Sequence, residues 1–369
     1  MKFSTDRESL LSALQLVAGV VERRQTLPVL SNVLVVAEDG KLELTGTDLE
    51  VEIVARVQGV HVDAGGSSTI PARKWLDICK SLPEGSDISI QQDGEQVEIV
   101  SGRSRFKLST LPASEFPNVE GGQNVDGFKV SRRNLKGMIE KVAFSMAHQD
   151  VRYYLNGMLI EHTAEHLRMV ATDGHRLAMV TNGHESAGDA VETSQSILPR
   201  KGVLELSRLL DDSDNEVEIS IGANHFRLIS DEMEFTSKLV DGKFPDYQKV
   251  VPQGGDKFIL SNRQNLKAAF SRASILSNEK YRGVRLQLSK DLLRITANNP
   301  EQEQAEEEVG LDYDGGDLEI GFNVSYLIDA MNVLSGEDVR VTLSDSNSSA
   351  LVENPQDETT KYVVMPMRL

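Results

Sequence analysis

The sequence is poor in cysteine and has no long hydrophobic run. Cys79 is the one cysteine among 369 residues, so no disulfide can form within the chain, and a reducing compartment fits best. No stretch approaches the roughly 18 uncharged apolar residues that a membrane-spanning helix needs. The start of the chain carries charges where a secretion signal would be apolar, so we expect no such signal. Together these absences predict a folded cytoplasmic protein with no membrane partner.

Positive charge is also scarce. The chain has 39 Lys and Arg against 57 Asp and Glu, a net charge of −18, which argues against a simple electrostatic grip on nucleic acid. The basic residues are nevertheless concentrated. Fifteen of them, with only four acidic residues, fall in the helical windows 71–82, 131–147, 199–210 and 261–282. A basic helical surface on an acidic body favours a polyanion gathered at one place over four independently solvated helix faces.

Internal repetition organises the chain. The segments LELTGTDLE (42–50), LRMVATDGH (167–175) and LRITANNPE (293–301) recur at a period of about 125 residues. Two helical patterns recur in all three copies, and a Leu-to-Phe-Pro pattern recurs in two. A period of this length suits a domain rather than a solenoid. We therefore predict three homologous domains, at 1–120, 121–250 and 251–369.

Each repeat is expected to contain two helices and several alternating strands. The opening helices are predicted at 4–20, 131–147 and 261–276, the first with a capping box formed by Thr5 and Glu8. Pro71 and Pro199 stand where the second helix of a repeat begins, a favoured place for proline. Strands outnumber helices and are joined by short Gly, Asp and Asn turns. This pattern predicts an α+β fold with largely antiparallel sheets.

Motifs along the whole chain resemble those of the bacterial DNA polymerase sliding clamps, the beta subunits of the replicative polymerase. They are LVAGVVERRQTLPVLSNVL (16–34), QDVRYYLNGML (149–159), ATDGHRLAM (171–179), KLVDGKFPDY (238–247), ILSNEKYRG (275–283), ANNPEQEQAEEE (297–308), IGFNVSYL (320–327) and YVVMPMRL (362–369). The resemblance implies three domains of the DNA-clamp fold, joined head to tail in a dimeric ring with helices inside and sheets outside. A ring holds DNA by topology, so a tight phosphate grip is unnecessary and would slow sliding.

The resemblance also implies function and partners. The ring would encircle duplex DNA and tether the polymerase for processive synthesis, without catalysis, cofactor or metal ion of its own. Expected protein partners are the polymerase III alpha subunit, the clamp loader, and other polymerases and repair proteins that dock through short peptide motifs.

Three groups of site residues follow from the resemblance. Expected DNA contacts are Arg24, Arg73, Gln149, Tyr153 and Tyr154. For Tyr154 an alternative stays open, in which the two tyrosines lie in a strand and one ring is in the core. The expected peptide pocket comprises Leu155, Thr172, Gly174, His175, Arg176, Leu177, Pro245, Lys249, Val250, Asn323, Tyr326, Ser349, Val363, Val364, Met365, Pro366, Met367, Arg368 and Leu369. Lys249 stands where the family commonly has an arginine. Lysine keeps the positive charge but loses bidentate hydrogen bonding.

The expected dimer interface joins opposite charges from the first and third repeats. Its members are Arg103, Arg105, Lys107, Ile275, Leu276, Glu303, Glu306 and Glu307. Different surfaces on the two repeats suit a heterologous contact that closes after two subunits.

Several motifs invite a chemical interpretation. Asp173, His175 and Arg176 could form a catalytic trio, but the equivalent segments TDLE and NNPE favour a modified turn. His162 and His166 flank a predicted hairpin turn and lack further zinc ligands. The segment 312–317, DYDGGD, lacks the ligand spacing of a calcium loop. A nuclease or hydrolase using Asp173 and His175, and a DNA-binding module that forms no ring, remain as alternatives.

The apolar C-terminal segment YVVMPMRL is unusual for an acidic chain, because termini are commonly frayed and polar. We expect Tyr362–Met365 to form a last strand that pairs into the third domain and Pro366 to end it. The remaining hydrophobic residues are expected to form half of a shared docking site.

Overall fold

The computed structural model describes residues 1–21, 27–117, 127–183 and 194–368. Two expected site residues, Arg24 and Leu369, lie outside the described residues. Six α-helices occur in the described part: α1 (Arg7–Ala18), α2 (Ala72–Ser81), α3 (Arg132–Val142), α4 (Arg200–Leu209), α5 (Arg263–Ser274) and α6 (Val324–Val333).

Strands make up most of the described fold. The first repeat contains β1 (Lys2–Asp6), β2 (Asn32–Glu38), β3 (Lys41–Thr47), β4 (Val51–Val57), β5 (His61–Ala64), β6 (Gly66–Pro71), β7 (Asp87–Asp93), β8 (Gln96–Ser101) and β9 (Ser104–Ser109). The second contains β10 (Phe128–Ser131), β11 (Gly157–His162), β12 (His166–Thr172), β13 (Arg176–Gly183), β14 (Ser194–Pro199), β15 (Glu216–Ile221), β16 (His225–Ile229) and β17 (Met233–Lys238). The third contains β18 (Lys257–Asn262), β19 (Gly283–Ser289), β20 (Leu292–Asn298), β21 (Gln304–Gly310), β22 (Leu318–Asn323), β23 (Asp338–Leu343), β24 (Ala350–Asn354) and β25 (Asp357–Val364).

The order of elements repeats three times. Each repeat runs strand, helix, four strands, helix, three strands, and the first repeat adds the short strand β5. All strand pairs between neighbours are antiparallel, as the pattern of alternating strands and short turns predicts. The repeat seen in the sequence is therefore also a repeat of structure.

The described residues divide into two compact units, and the divisions fall within α3, within α4 and just after β17. Met1–Leu135 with Leu204–Leu239 contains a five-stranded sheet, ordered β5-β1-β7-β8-β9, and an eight-stranded sheet, ordered β10-β15-β16-β17-β4-β3-β2-β6. Lys136–Val203 with Val240–Leu369 contains an eight-stranded sheet, ordered β14-β11-β12-β13-β25-β24-β23-β18, and a four-stranded sheet, ordered β21-β20-β19-β22.

The two eight-stranded sheets are each assembled from two repeats. In one, β4 of the first repeat pairs with β17 of the second, and in the other, β13 of the second repeat pairs with β25 of the third. In both cases the third strand after the opening helix of a repeat, which we call its third long strand, pairs with the last strand of the next repeat. This pairing explains why the compact units cut across the repeats, and the predicted boundaries at 1–120, 121–250 and 251–369 stay a prediction.

The helices form where the apolar spacing predicts them. In α1, Leu10, Leu14 and Val17 are fully buried at helical spacing. The predicted capping residue is wrong by one position, because the side chain of Asp6 accepts the hydrogen bond from the Ser9 backbone N–H, at 2.8 Å. Pro71 likewise stands one residue before α2, at the end of β6.

The alternating segments VLVVAED (33–39), LELTGTD (42–48), VEIVARV (51–57), DISIQQD (87–93), QVEIVSG (96–102) and RFKLST (105–110) predict six strands in the first repeat. All six are present, as β2, β3, β4, β7, β8 and β9, whereas no such segment predicts β1, β5 or β6. The helix predicted at 4–20 begins too early. Lys2–Asp6 forms β1 and pairs with β7, and α1 follows it. No helix among the described residues is long and apolar enough to cross a membrane.

The cap of α1 gives a test of this local structure. Asp6→Ala should lower the free energy of unfolding by about 1 kcal/mol at neutral pH, since one N-terminal N–H loses its acceptor. The Ser9 N–H lowers the pKa of Asp6, so this contribution is present above the unfolded-state pKa and is lost as pH falls through the folded-state pKa. Urea denaturation of Asp6→Ala beside Asp6→Asn, which keeps an acceptor, measures it. Equal destabilisation by both variants would contradict the assigned cap.

Candidate functional site

The second repeat has an apolar patch on one face of its sheet, here called the outward face. Leu159 lies opposite both Val170 and Ile197, and Leu177 lies opposite Val363. Leu177 is diagonal to Val170, because Val170 pairs with Met179 on the same strand as Leu177. The segment 240–251 crosses this face and contributes further side chains. We call the resulting group the outer apolar cluster; its buried members are Leu159, Val170, Leu177, Ile197, Phe244, Tyr247 and Val363.

Several of the same strand positions are polar in the first repeat, although Leu34 stands where the second repeat has Leu159. The strand registers place Thr45 where the second repeat has Val170. Glu52 occupies the position equivalent to Leu177. Thr236, which pairs with Glu52 from β17, occupies the position equivalent to Val363. At these three positions the face is therefore apolar in the second repeat and polar in the first. The first repeat has a smaller apolar group of its own, in which Leu34 packs against Val29, Leu30 and Phe116.

The C-terminal segment is more deeply buried than predicted. The strand β25 begins at Asp357 and ends at Val364, and it pairs with β13 of the second repeat as well as β24 of the third. Tyr362, Val363 and Val364 are buried. Both valines, expected among the pocket residues, are buried because a central strand buries its side chains on both faces, and Val363 is a member of the outer apolar cluster.

The accessible part of the segment is the stretch after β25. Met365, Pro366 and Met367 are half-buried, and Arg368 is exposed. Two backbone hydrogen bonds hold this stretch, from Met365 N–H to the His175 carbonyl at 2.9 Å and from Met367 N–H to the Gly321 carbonyl at 2.8 Å. Flexible thioether side chains on a fixed backbone suit an adaptable apolar binding surface.

The opposite border of the cluster is formed by the end of the segment 240–251. Val250 is half-buried against the cluster, whereas Pro245 is exposed. Lys249 is exposed and pairs with Asp246 at 2.9 Å. The hydrogen bond between them raises the pKa of Lys249 and lowers that of Asp246. Since this pair is solvated, it contributes little to stability.

Arg176, one of the expected pocket residues, has its guanidinium bound within the protein. It donates to Asp173 at 3.1 Å, to Asp329 at 2.6 Å and to the Phe144 carbonyl at 2.8 Å. It also lies over the rings of Phe144 and Tyr326, at 5.2 and 4.6 Å. Such a planar, multiply paired guanidinium fixes its neighbours in place. Burial raises the pKa of Tyr326.

The other expected pocket residues differ in exposure. Leu155, Thr172 and Leu177 are buried, His175 is exposed, and Gly174, Asn323, Tyr326 and Ser349 are half-buried. The Asn323 side chain caps α6 by accepting from the Ser325 N–H. Gly174 has a φ of +87°, a backbone conformation that favours glycine.

The motif TDGHR forms a turn with counterparts in the other repeats. The Asp173 carboxylate accepts from the N–H groups of His175 and Arg176, at 2.9 and 3.0 Å. Asp48 does the same for Glu50 and Val51, and Asn299 accepts from Glu303. A side chain that bonds its own backbone two to four residues on stabilises the turn. The geometry explains Asp173 without catalysis.

The expected DNA contacts are exposed where they are described. Arg73 on α2, Gln149 and Tyr153 are exposed, and Gln149 has a φ of +56°. Tyr153–Leu155 is a 3₁₀ turn rather than a strand. Tyr154 is half-buried against the outer apolar cluster, while Tyr153 is 58% exposed, so the two rings differ in role.

The expected dimer residues lie on or near the edge strands β9 and β21. Arg105 and Lys107 are exposed on β9, and both pair with Glu98 on β8. Glu306 and Glu307 lie on β21, where Glu307 accepts a bidentate bond from Arg272 that lowers the pKa of Glu307. Ile275 is 74% exposed. The remaining members are placed as follows: Arg103 is exposed in the turn before β9, Glu303 is exposed just before β21, and Leu276 is half-buried after α5.

The motifs weighed as metal sites form ordinary turns. Nε2 of His166 lies 3.2 Å from a Glu161 oxygen, and the His162–His166 pair flanks the turn between β11 and β12. In the segment 312–317, the Tyr313 hydroxyl donates to the Gly316 carbonyl at 2.6 Å. Across the described residues, no group of three or more His, Cys, Asp or Glu is arranged to hold a metal ion.

Sequence reasoning missed a buried polar group beside the outer apolar cluster. Glu161 is 5% exposed and is bound by Arg168, Gln195 and Tyr247. Glu161, Arg168 and Gln195 stand where the first repeat has Val36, Glu43 and Ser67. This difference between the repeats was visible in the sequence. Aligning the repeats strand by strand would have revealed both the apolar and the polar differences.

Comparison with known proteins identifies the class and then the family. The chain is 58% identical over 369 residues to the beta sliding clamp of Pseudomonas aeruginosa, covering all of both chains. It superposes with a TM-score of 0.97 on the crystal structure of DNA polymerase III subunit beta from that organism, at 58% identity and full coverage of both chains. A second structure of that clamp, bound to griselimycin, gives a TM-score of 0.96 at 58% identity and full coverage of both chains. The class is thus the sliding clamps, non-catalytic processivity factors of DNA replication.

Three family models cover the chain. They describe the N-terminal, central and C-terminal domains of the DNA polymerase III beta subunit, and they match residues 1–120, 129–246 and 248–368. The chain belongs to the DNA polymerase III beta subunit family. Its function is accordingly that of a sliding clamp that supports processive synthesis by the polymerase.

Substitutions of the turn-forming aspartates test whether Asp173 has a structural or a catalytic role. Asp173→Ala and Asp48→Ala should each lower the free energy of unfolding by about 1–3 kcal/mol, because each leaves backbone N–H groups without their acceptor. Neither change should alter DNA hydrolysis, which we expect to stay at background. Urea denaturation and a DNA cleavage assay measure the two effects. Cleavage by the wild type that Asp173→Ala alone removes would contradict the structural role.

Proposed function

We propose that two copies of this chain pair head to tail, β9 of one subunit with β21 of its partner, and that the closed dimer encircles duplex DNA. The proposal treats 1–120, 121–250 and 251–369 as three equivalent domains. Within the chain, the third long strand of a repeat pairs with the last strand of the next repeat, as β4 with β17 and β13 with β25.

Applying the same rule to the remaining strands leaves one pair. The third long strand of the third repeat is β21, and the last strand of the first repeat is β9. Among the described strands, each is the terminal strand of its sheet. An exposed edge strand presents unpaired backbone donors and acceptors, so pairing two such edges between subunits satisfies both.

Side-chain charge favours this pairing over pairing of like edges. The strand β9 and its preceding turn present Arg103, Arg105 and Lys107, whereas β21 presents Glu306, Glu307 and Glu308. Two copies of β9, or two of β21, would place like charges together, which costs stability. Ile275 beside β21 adds an exposed apolar contact.

A closed ring reconciles the acidic chain with a DNA partner. Encirclement retains DNA without strong phosphate contacts, and the remaining contacts from Arg24, Arg73, Gln149, Tyr153 and Tyr154 stay weak enough for sliding. The exposed ring of Tyr153 is suited to stacking on a base or sugar. The competing proposal is a DNA-binding module that forms no ring, and the two differ in how DNA ends affect release.

The outer apolar cluster is proposed to receive short peptide segments of partner proteins. Its rim is proposed to be formed by Val250, which packs against the cluster, and by Met365, Pro366 and Met367, which directly follow β25, and its floor includes the buried Leu177. Partners expected here are the polymerase III alpha subunit, the clamp loader, and other polymerases and repair proteins, in the cytoplasm. Griselimycin, bound by the Pseudomonas aeruginosa clamp, is proposed to bind at the same cluster.

Retention on DNA tests the encirclement. The protein loaded on a nicked circular duplex should remain bound through gel filtration in high salt, because release requires the ring to open. Linearising the circle should release it from the ends. Equal escape from circular and linear DNA would support the binding module and contradict the ring.

The solution mass tests the dimer. A chain of 40.7 kDa should sediment as a dimer of about 81 kDa. Ile275→Asp should dissociate it, because a carboxylate would be buried in the interface. Leu260→Asp provides a matched control, since Leu260 is a 52% exposed side chain on the edge strand β18. A wild-type monomer, or equal dissociation by both variants, would refute the proposed interface.

Removal of the C-terminal stretch tests the docking site. A chain lacking Met365–Leu369 should lose griselimycin binding while its dimer mass is unchanged, because the rim opposite Val250 is removed. Titration calorimetry and sedimentation velocity measure the two properties. Unchanged affinity in the shortened chain would show that the site lies elsewhere.

A further inference from the structure

The segment 240–251 is attached to the sheet of the second repeat near each of its ends. At the start, the Val240 N–H donates to the Ile197 carbonyl at 2.9 Å. At the end, the buried Tyr247 reaches the outward face through its ring and its hydroxyl. Between these attachments, residues 241–243, 245 and 246 are exposed. The position of the segment over the cluster therefore depends on what holds Tyr247.

The Tyr247 hydroxyl is held by a carboxylate and a guanidinium. It donates to Oε1 of Glu161 at 3.0 Å and lies 2.8 Å from Nη1 of Arg168, which donates to it. The same Arg168 nitrogen donates to Glu161 at 2.9 Å, which closes a three-membered ring of hydrogen bonds. Charge-assisted bonds of this kind are stronger and more directional than neutral ones.

Other side chains complete the coordination of Glu161. Gln195 donates to its second oxygen at 2.6 Å, and a ring nitrogen of His166 lies 3.2 Å from the first. Burial alone raises the pKa of Glu161, but the bonds from Gln195, His166 and Tyr247 and the charge of Arg168 together lower it. A buried carboxylate with this many partners is rigid, because moving one partner leaves the charge unsatisfied.

Tyr247 transmits this rigidity to the rim of the docking site. It begins the 3₁₀ turn Tyr247–Lys249, and its carbonyl accepts from the N–H groups of Val250 and Val251, at 3.0 and 3.3 Å. Val250 is thus fixed to the residue that the polar group holds. Phe244, on the other side of the exposed stretch, is buried in the same cluster.

We propose that Glu161 and Arg168 are positioning residues of the docking site, which through the Tyr247 hydroxyl hold the 247–250 turn and keep Val250 as a wall for apolar ligands. They touch no ligand themselves. This inference rests on the proposed docking function of the outer apolar cluster. The alternative is that the group stabilises the second repeat without affecting ligand binding.

Removal of one hydroxyl tests the inference with little change to the core. Tyr247→Phe keeps the ring in the cluster and should weaken griselimycin binding about five- to tenfold, the equivalent of one lost hydrogen bond. Amide exchange at Val250 and Val251 should accelerate in the same variant, because their acceptor is no longer fixed. Calorimetry and hydrogen-exchange mass spectrometry on the full chain measure both.

Tyr313→Phe is the matched control. Tyr313 is also buried, and its hydroxyl donates to Gly316 at 2.6 Å in the third repeat. This change should lower the thermal midpoint while griselimycin affinity stays within about twofold of wild type. Glu161→Gln should weaken binding as Tyr247→Phe does, and the double variant should lose less than the sum of both, since the two changes break the same connection.

The outcomes separate this inference from the docking proposal. If Tyr247→Phe binds griselimycin within about twofold of wild type, with unchanged exchange at Val250, the positioning role is overturned. If the wild type does not bind, or the chain lacking Met365–Leu369 binds equally well, the docking proposal itself fails and this inference fails with it. Wild-type binding lost on deletion and weakened by Tyr247→Phe supports both.

Discussion

The pairing of one repeat's third long strand with the next repeat's last strand is the constraint on which the rest of the structure depends. It joins β4 to β17 and β13 to β25 and makes each eight-stranded sheet continuous across two repeats. Backbone groups at these edges are satisfied by hydrogen bonds in the ladder rather than by water. The same constraint leaves β9 and β21 as edges that a second subunit can complete, and closure in turn allows an acidic chain to retain DNA.

The repeats share a framework but differ where they meet other molecules. All three use an Asp or Asn side chain to fix the turn after the equivalent strand. The outward face beyond that turn is apolar in the second repeat, and Thr45 and Glu52 occupy the matching positions in the first. Folding requirements explain what is common to the repeats, and the outer apolar cluster, with Phe244 and Tyr247 packed into it, is where the second departs from the first.

Much of the fold could be predicted because local pattern and tertiary environment agree. The helix stripe of Leu10, Leu14 and Val17 is such a case. The errors arise where long-range contacts decide. Pairing with β7 extends β1 into the predicted helix, and pairing with β13 buries Val363 and Val364. The ion pair of Arg176 could not be foreseen from local pattern, because its partner Asp329 lies 153 residues away in the sequence.

Hydrogen exchange at the two free edges measures the central claim most directly. The account predicts that backbone amides of β9 and β21 become protected together as protein concentration rises into the dimer range, while β22, at the opposite edge of the third repeat's sheet, is unaffected. Contact between the two edges requires this joint change. Protection of neither strand in the dimer, or of one strand without the other, would contradict the pairing from which the ring is inferred.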